Sequence, residues 1–122
     1  MKSMKLYNDD ILIAFREFRG NIPYMVLSEE AKGVSPDDIP AGLFWTKGDP
    51  SKIKEEITAF EFLSWLKRRV FPEERYDCKD LLKDMGLDRY DPTAIAVQTQ
   101  GVLYGVDKFW VDFGDGRGKP DV

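Results

Sequence analysis

The chain has 122 residues, of which 43% are hydrophobic and 33% are charged, and its formal net charge is −4 at pH 7. This length and composition are typical of a soluble globular protein, so we expect a single domain over residues 1–122 and no membrane segment. The acidic balance lowers the expectation of nonspecific binding to nucleic acid or anionic lipid.

The sequence contains no histidine and only one cysteine. Without an imidazole, the chain has no Ser-His-Asp or Cys-His nucleophile system and no histidine zinc site. A single thiol forms no internal disulfide, which agrees with a reducing compartment, and the first residues lack the apolar stretch of a signal peptide. We therefore expect a cytoplasmic protein that is not an enzyme and uses no metal or other cofactor.

The first 27 residues predict a β-meander. Residues 11–18 are rich in β-forming side chains, and a turn cluster at 19–21 separates them from a returning strand at 22–27. Residues 4–7 supply a third strand ahead of this hairpin.

A loop and then a helical segment are expected to follow. Residues 28–57 are dense in glycine, proline and paired acids, which indicates an extended loop with one short turn of helix at residues 35–38. Thr58 and Glu61 have the spacing of a capping box, so a helix is predicted to start there and to open a helical segment over residues 58–101. The buried stripe of this first helix is predicted from steps of three and four residues: Ala59, Phe62, Leu63, Leu66 and Val70.

Two further helix starts lie in the same segment. The second helix begins near Asp77 and ends at Gly86, which supplies a left-handed position. The third has Asp91 as its cap and Pro92 at its first position, and it is predicted to run to Gly101.

Residues 108–113 have the alternation of a strand, with Phe109, Val111 and Phe113 on one face and Trp110 and Asp112 on the other. This pattern predicts a last strand that returns to the N-terminal sheet. Residues 114–122 predict a flexible tail. The expected fold class is therefore α+β. It consists of a small antiparallel sheet, built from the N-terminal hairpin or meander and the C-terminal strand, with three helices packed on one face.

The stretch from Arg69 to Gly114 also carries a run of residues that resembles a family. The run comprises Phe71-Pro72, Arg75, Leu81-Leu82, Gly86-Leu87, Tyr90-Asp91-Pro92, Ile95, Thr99, Gly101-Val102, Asp107, Trp110-Val111 and Phe113. It is similar to an uncharacterised family of small proteins from bacterial phages and mobile elements, in which a short hairpin precedes this core. The resemblance implies no activity, cofactor or catalytic residue. It implies a setting in which inhibitors of host proteins, regulators and antitoxins are commoner than metabolic enzymes.

The aromatic residues indicate where a partner binds. Trp65 projects from its helix on the side opposite Leu63 and Val70, so the largest apolar residue of the helix lies off the predicted buried stripe. Either another part of the chain covers Trp65, with residues 43–45 as the best candidate, or Trp65 anchors a partner, because tryptophan and arginine dominate interface hot spots. The predicted partner-binding residues are Trp65, Arg68, Arg69, Phe44, Trp45 and Arg75.

These observations predict a non-enzymatic module that binds a host protein. The most specific form of this hypothesis is an inhibitor of a host defence nuclease, similar to anti-CRISPR proteins, and the sequence leaves a homodimer open. The alternative is a DNA-binding transcriptional regulator or antitoxin that uses the helices around Gly86. Direct binding of nucleic acid is not favoured, because the third helix contains no Lys or Arg, although Gln98 and Gln100 have side chains suited to reading adenine.

Overall fold

The structure, a computed structural model, describes residues 3–121. Five strands form one antiparallel sheet in the order β4-β3-β2-β1-β5. The strands are β1 (Lys5–Asn8), β2 (Ile11–Arg19), β3 (Ile22–Leu27), β4 (Glu56–Thr58) and β5 (Phe109–Asp112). The α-helices are α1 (Glu29–Lys32), α2 (Ala59–Lys67), α3 (Cys78–Asp84) and α4 (Pro92–Thr99). The predicted α+β class is confirmed.

The predicted meander is present as β1, β2 and β3. The register of β1 against β2 shifts between Leu6 and Tyr7, which is the mark of a β-bulge. As a result β2 delivers two consecutive residues, Ile13 and Ala14, to the core, and both are fully buried.

The last strand returns to the N-terminal sheet as predicted. β5 pairs with β1 in antiparallel register, with Leu6 opposite Val111 and Tyr7 opposite Trp110. The Tyr7 and Trp110 rings stack with their centroids 4.6 Å apart. Trp110 is therefore buried as well, although the alternation places it on the face opposite Val111.

Residues 28–57 contain more regular structure than the predicted loop. α1 begins at the Ser28 cap, whose hydroxyl accepts a hydrogen bond from the Ala31 amide at 3.0 Å. A short 3-10 helix follows at Pro36–Asp38, where the short turn of helix was predicted. β4 then pairs with β3 through Ile57 opposite Met25. Three residues are too few to show an alternating pattern, which explains why the sequence did not reveal this strand.

All three predicted helix starts are present. The capping box of α2 is complete, because the Thr58 hydroxyl accepts from the Glu61 amide at 3.1 Å and the Glu61 carboxylate accepts from the Thr58 amide at 3.3 Å. Asp77 precedes α3 without capping it, since its carboxylate lies 2.6 Å from Arg75 Nε in an ion pair instead. Of the helices within residues 3–121, none has the length and apolar character that crossing a membrane requires.

The end of α4 differs slightly from the prediction. The helix stops at Thr99, and Gln100 takes the left-handed conformation with φ at 55° ahead of Gly101. The Gln100 carbonyl accepts from the Val111 amide at 2.8 Å. The backbone therefore bonds β5 directly after it leaves the helix.

The buried face of α2 is broader than the predicted stripe. Phe62 and Leu66 are buried as expected, but Trp65 is also buried and only 7% exposed, while Leu63 is half-buried. The prediction that Trp65 lies off the buried side of the helix is therefore wrong. The reason is that α2 packs against both the β3–β4 end of the sheet and α4, so two of its sides are covered.

The C-terminal residues 114–121, predicted to form a flexible tail, contact the body of the domain. Arg117 donates hydrogen bonds to the Val97 and Gln98 carbonyls at 2.6 and 2.9 Å, in the last turn of α4, where a cation interacts favourably with the helix dipole. Lys119 bonds the Asp9 and Asp10 carboxylates, and its ammonium holds the pKa of Asp9 below the ordinary value.

The Asp91 cap of α4 provides a test of the helical assignment. Its carboxylate accepts from the Thr93 and Ala94 amides at 3.1 and 3.2 Å. We expect Asp91→Ala to lower the free energy of unfolding by about 1 kcal/mol, because both amides lose their acceptor. Urea denaturation measures this loss. The control Asp88→Ala removes an exposed carboxylate and is expected to change stability little. Equal stabilities for the two variants would contradict the assigned cap.

Candidate functional site

The site begins with a buried arginine just after α2. The Arg69 side chain donates from Nε to the Gly101 carbonyl at 2.7 Å, and from Nη1 and Nη2 to the two Asp107 carboxylate oxygens at 2.7 and 2.6 Å. The guanidinium carbon also lies 4.5 Å from the ring centroid of Trp65 and 5.8 Å from that of Phe109. A forked ion pair and two cation–π contacts thus compensate the burial of this charge.

Arg69 joins the two ends of the loop at residues 101–107. One end is the Gly101 carbonyl, and the other is Asp107, which also accepts a hydrogen bond from the Phe109 amide at 3.1 Å. Between these ends the Val106 amide donates to the Leu103 carbonyl at 3.2 Å, which closes a turn. The loop therefore projects Tyr104 and Val106 into solvent, and each is 69% exposed.

A second segment, residues 37–47, lies opposite this loop. Phe44 is fully buried and secures the segment, and its carbonyl accepts from the Lys54 amide at 2.8 Å. Trp45 is half-buried, and its indole N–H donates to the Ile39 carbonyl at 2.8 Å. This bond fixes the orientation of the Trp45 ring.

Between the two segments lies an open cavity of about 570 Å³, here named the Trp45–Trp65 groove. Its buried lining residues are Ile39, Pro40, Trp65, Arg69 and Phe109. Trp45 lines it from one segment, and Leu103 and Val106 line it from the other. Its charged lining residues are Asp37, Lys47, Arg69 and Asp107. Their formal charges sum to zero, and the groove combines apolar with charged lining residues.

The three tryptophan indoles differ in their hydrogen bonds. The indole N–H groups of Trp45 and Trp110 donate to the Ile39 and Asp9 carbonyls, each at 2.8 Å. Within residues 3–121 nothing accepts a hydrogen bond from the Trp65 indole N–H. The only fully buried side-chain N or O atom without a hydrogen bond in that range is Asp77 Oδ1, which nevertheless lies 2.6 Å from Arg75 Nε in the ion pair.

The structure brings together only part of the predicted site. Trp45, Trp65 and Arg69 line one groove, and Phe44 lies buried beside it in the same segment as Trp45. The expectation that Trp65, Arg68 and Arg69 form one exposed cluster is wrong, because Trp65 and Arg69 are buried.

The other two predicted arginines lie outside the groove. Arg68 is exposed and does not line the groove, and Arg75 is exposed and pairs with Asp77 near α3. Of the two explanations for Trp65, the structure shows the first, since the chain itself covers the ring. Phe62 stacks on the Trp65 ring and Phe109 meets it edge-on. Residues 43–45, expected as the cover, belong to the same core cluster as Trp65.

Sequence reasoning missed Leu103, Val106 and Asp107. The signal that could have found this second wall of the groove is the position of Leu103 and Tyr104, two apolar side chains in a short loop between Gly101 and Gly105.

The residues proposed for the DNA-binding alternative are engaged elsewhere. Gln98 donates to the Met85 carbonyl at 2.9 Å. Gln100 is buried and donates to the Val111 and Gly118 carbonyls at 3.3 and 2.9 Å. Both side-chain amides therefore bond the chain's own backbone, which argues against a role in reading bases.

Comparisons of the chain with family models, with curated proteins and with solved structures found no match. In the part of the chain that the structure describes, no three His, Cys, Asp or Glu side chains are grouped so that they could hold a metal ion.

The buried ion pair gives the first test of this site. Arg69→Ala is expected to lower the free energy of unfolding by about 3 kcal/mol or more, because Asp107 and the Gly101 carbonyl both lose their donor in a partly buried place. The neighbouring Arg68→Ala is the matched control, and removing this exposed arginine should cost less than about 0.5 kcal/mol. Similar losses for the two variants in chemical denaturation would contradict the structural role of Arg69.

The burial of Trp65 gives the second test. We expect Trp65→Ala to lower the free energy of unfolding by roughly 3 to 5 kcal/mol, the usual cost of truncating a large buried aromatic. The control is Phe60→Ala on the same helix, because the Phe60 side chain is 78% exposed. If thermal and urea denaturation showed a smaller loss for Trp65→Ala than for Phe60→Ala, Trp65 would not be a core residue.

Proposed function

We propose that the chain is a non-enzymatic protein-binding module and that its contact surface is the Trp45–Trp65 groove together with the exposed rim residues Tyr104 and Val106. The observation that carries this proposal is the position of the rim. Two large apolar side chains, each 69% exposed, stand on a loop whose ends are fixed by a buried ion pair. Exposed apolar side chains beside an aromatic, arginine-containing depression are typical of protein interfaces.

The rim also favours a protein over a small molecule. A cavity of about 570 Å³ lies within the range of small-ligand pockets, which is roughly 300 to 1,000 Å³. A small ligand in the groove would leave most of Tyr104 in water, because Tyr104 is not a lining residue. A protein surface covers both the groove and its rim, so it removes more apolar area from water.

The more specific proposal is a cytoplasmic inhibitor of a host defence nuclease, of the anti-CRISPR kind. The resemblance to small phage and mobile-element proteins supports this setting. The net charge of −4 agrees with it, because enzymes that process nucleic acid present basic surfaces that attract an acidic protein.

A plaque assay tests this proposal directly. The chain is expressed in a panel of bacterial strains, each of which carries one defence nuclease directed against the same phage. We expect the wild type to restore plaque formation in at least one strain. The double variant Tyr104→Ser with Val106→Ser is expected to lose this effect, because it removes the apolar rim while Arg69 and Asp107 remain. The control Tyr76→Ser removes a tyrosine that is 97% exposed and does not line the groove, and it should act like the wild type.

Two results would contradict the proposal. One is failure of the wild type in every strain, and the other is full activity of the rim variant. The DNA-binding alternative predicts a third result, a submicromolar and sequence-selective complex with duplex DNA at physiological salt. In that case Arg68→Glu and Arg75→Glu would weaken the complex and flatten its salt dependence.

A further inference from the structure

We propose that residues 114–121 form an ionic clasp, a segment that is closed on the domain by charged contacts at low ionic strength and opens as a local unit when salt screens them. The clasp is separate from the Trp45–Trp65 groove and does not depend on the proposed function. Three observations lead to it: the contacts that hold the segment, the composition of the segment, and the groups that it covers.

Two cationic side chains hold the segment in place. Arg117 donates to two carbonyls in the last turn of α4, at 2.6 and 2.9 Å. Lys119 bonds the carboxylates of Asp9 and Asp10, which lie between β1 and β2. The carbonyl of Gly118, between the two anchors, accepts a hydrogen bond at 2.9 Å. The segment therefore ties the end of α4 to the first turn of the sheet.

The charged groups of both anchors are in contact with water. The side chains of Arg117 and Lys119 are 35% and 36% exposed, and those of Asp9 and Asp10 are 42% and 82% exposed. Ion pairs of this kind are individually weak and are screened by dissolved salt. The Debye length falls from about 30 Å at an ionic strength of about 0.01 M to about 3 Å at about 1 M. The attraction that holds the segment thus depends strongly on ionic strength.

The segment has little apolar surface that could replace these contacts. Residues 114–119 are all glycine or charged, and all six are exposed. Pro120 is half-buried, and within residues 3–121 neither hydrophobic core cluster includes a residue after Phe113. Burial of apolar side chains, which holds the rest of the domain together, therefore contributes little to the closed segment.

Closure is also opposed by conformational entropy. Gly116 and Gly118, on either side of Arg117, have φ of 82° and 73°, in the left-handed region that favours glycine. Glycine loses more conformational freedom than any other residue when its backbone becomes ordered. The closed segment thus balances a few screened contacts against this loss, so weakening of the contacts is enough to open it.

Opening changes the surface that the domain presents. The adjacent carboxylates of Asp9 and Asp10 lose their bound cation, and the last carbonyls of α4 lose their donor. The Gln100 side-chain amide loses the Gly118 carbonyl and keeps the Val111 carbonyl at 3.3 Å. Ionic strength therefore sets the fraction of molecules that display these groups.

The experiment measures backbone ¹⁵N relaxation of the full chain in sodium chloride from about 0.01 M to about 1 M, the range over which screening changes most. We expect the amide order parameters of Gly116, Arg117 and Gly118 to fall from about 0.85, typical of rigid backbone, to below about 0.6. The order parameter of the Trp110 amide should stay unchanged, because β5 is buried in the domain.

Two variants that each remove one charge identify the anchors. Arg117→Gln and Lys119→Gln should each lower the salt concentration at the midpoint of opening by about twofold or more, because only one anchor remains. The combined variant should be open already at the lowest salt concentration. The control Lys79→Gln removes an exposed lysine of α3 and changes the net charge as much as one anchor variant does. It should open like the wild type.

Four results would overturn this inference. A segment that stays ordered at the highest salt concentration, or in the combined variant, would be held by other contacts. A segment that is mobile at the lowest salt concentration would not be closed at all. An equal change of the midpoint in Lys79→Gln would assign the effect to net charge. Loss of order at Trp110 together with the segment would mean that the domain unfolds, so no local clasp opens.

Discussion

The Arg69 guanidinium is the interaction on which the rest of the structure depends. It connects the end of α2, the Gly101 carbonyl after α4, and Asp107 just ahead of β5. These three points are far apart in the chain. The planar guanidinium of Arg69 bonds the carbonyl and both carboxylate oxygens at once, a geometry that a lysine ammonium does not reproduce. A buried charge is tolerated when it is fully paired, and loss of one partner leaves the other charge uncompensated. The packing of α2, α4 and β5 around this point is therefore coupled to one side chain.

The same contacts that satisfy Arg69 create the groove. Because both ends of the loop at 101–107 bond Arg69, Leu103 and Val106 are held on the opposite side of the groove from Trp45. A surface that is organised in advance loses less conformational entropy on binding, so more of the contact energy appears as affinity.

The sequence predicted those features of the fold that depend on residues close together in the chain. The Thr58 and Asp91 caps and the glycine at position 86 each act over a few residues, and each was found where it was expected. The environment of Trp65 depends instead on two segments that return from elsewhere in the chain. Asp107 lies 38 residues after Arg69, and neither the capping rules nor the periodicity of one helix connects them. For this reason Trp45, Trp65 and Arg69 could be singled out from the sequence, but their burial and their shared groove could not.

The most direct test of this account is amide hydrogen exchange in the variant Arg69→Lys. This variant keeps the positive charge and loses the pair of parallel hydrogen bonds to Asp107. The Val102, Val106 and Phe109 amides bond within or beside the loop, while Met25 lies in the centre of the sheet. If Arg69 organises the groove, exchange at these three amides should rise by about tenfold or more while exchange at Met25 stays nearly unchanged, as local opening requires. Unchanged exchange in the loop, or an equal rise at Met25, would contradict the central role of Arg69.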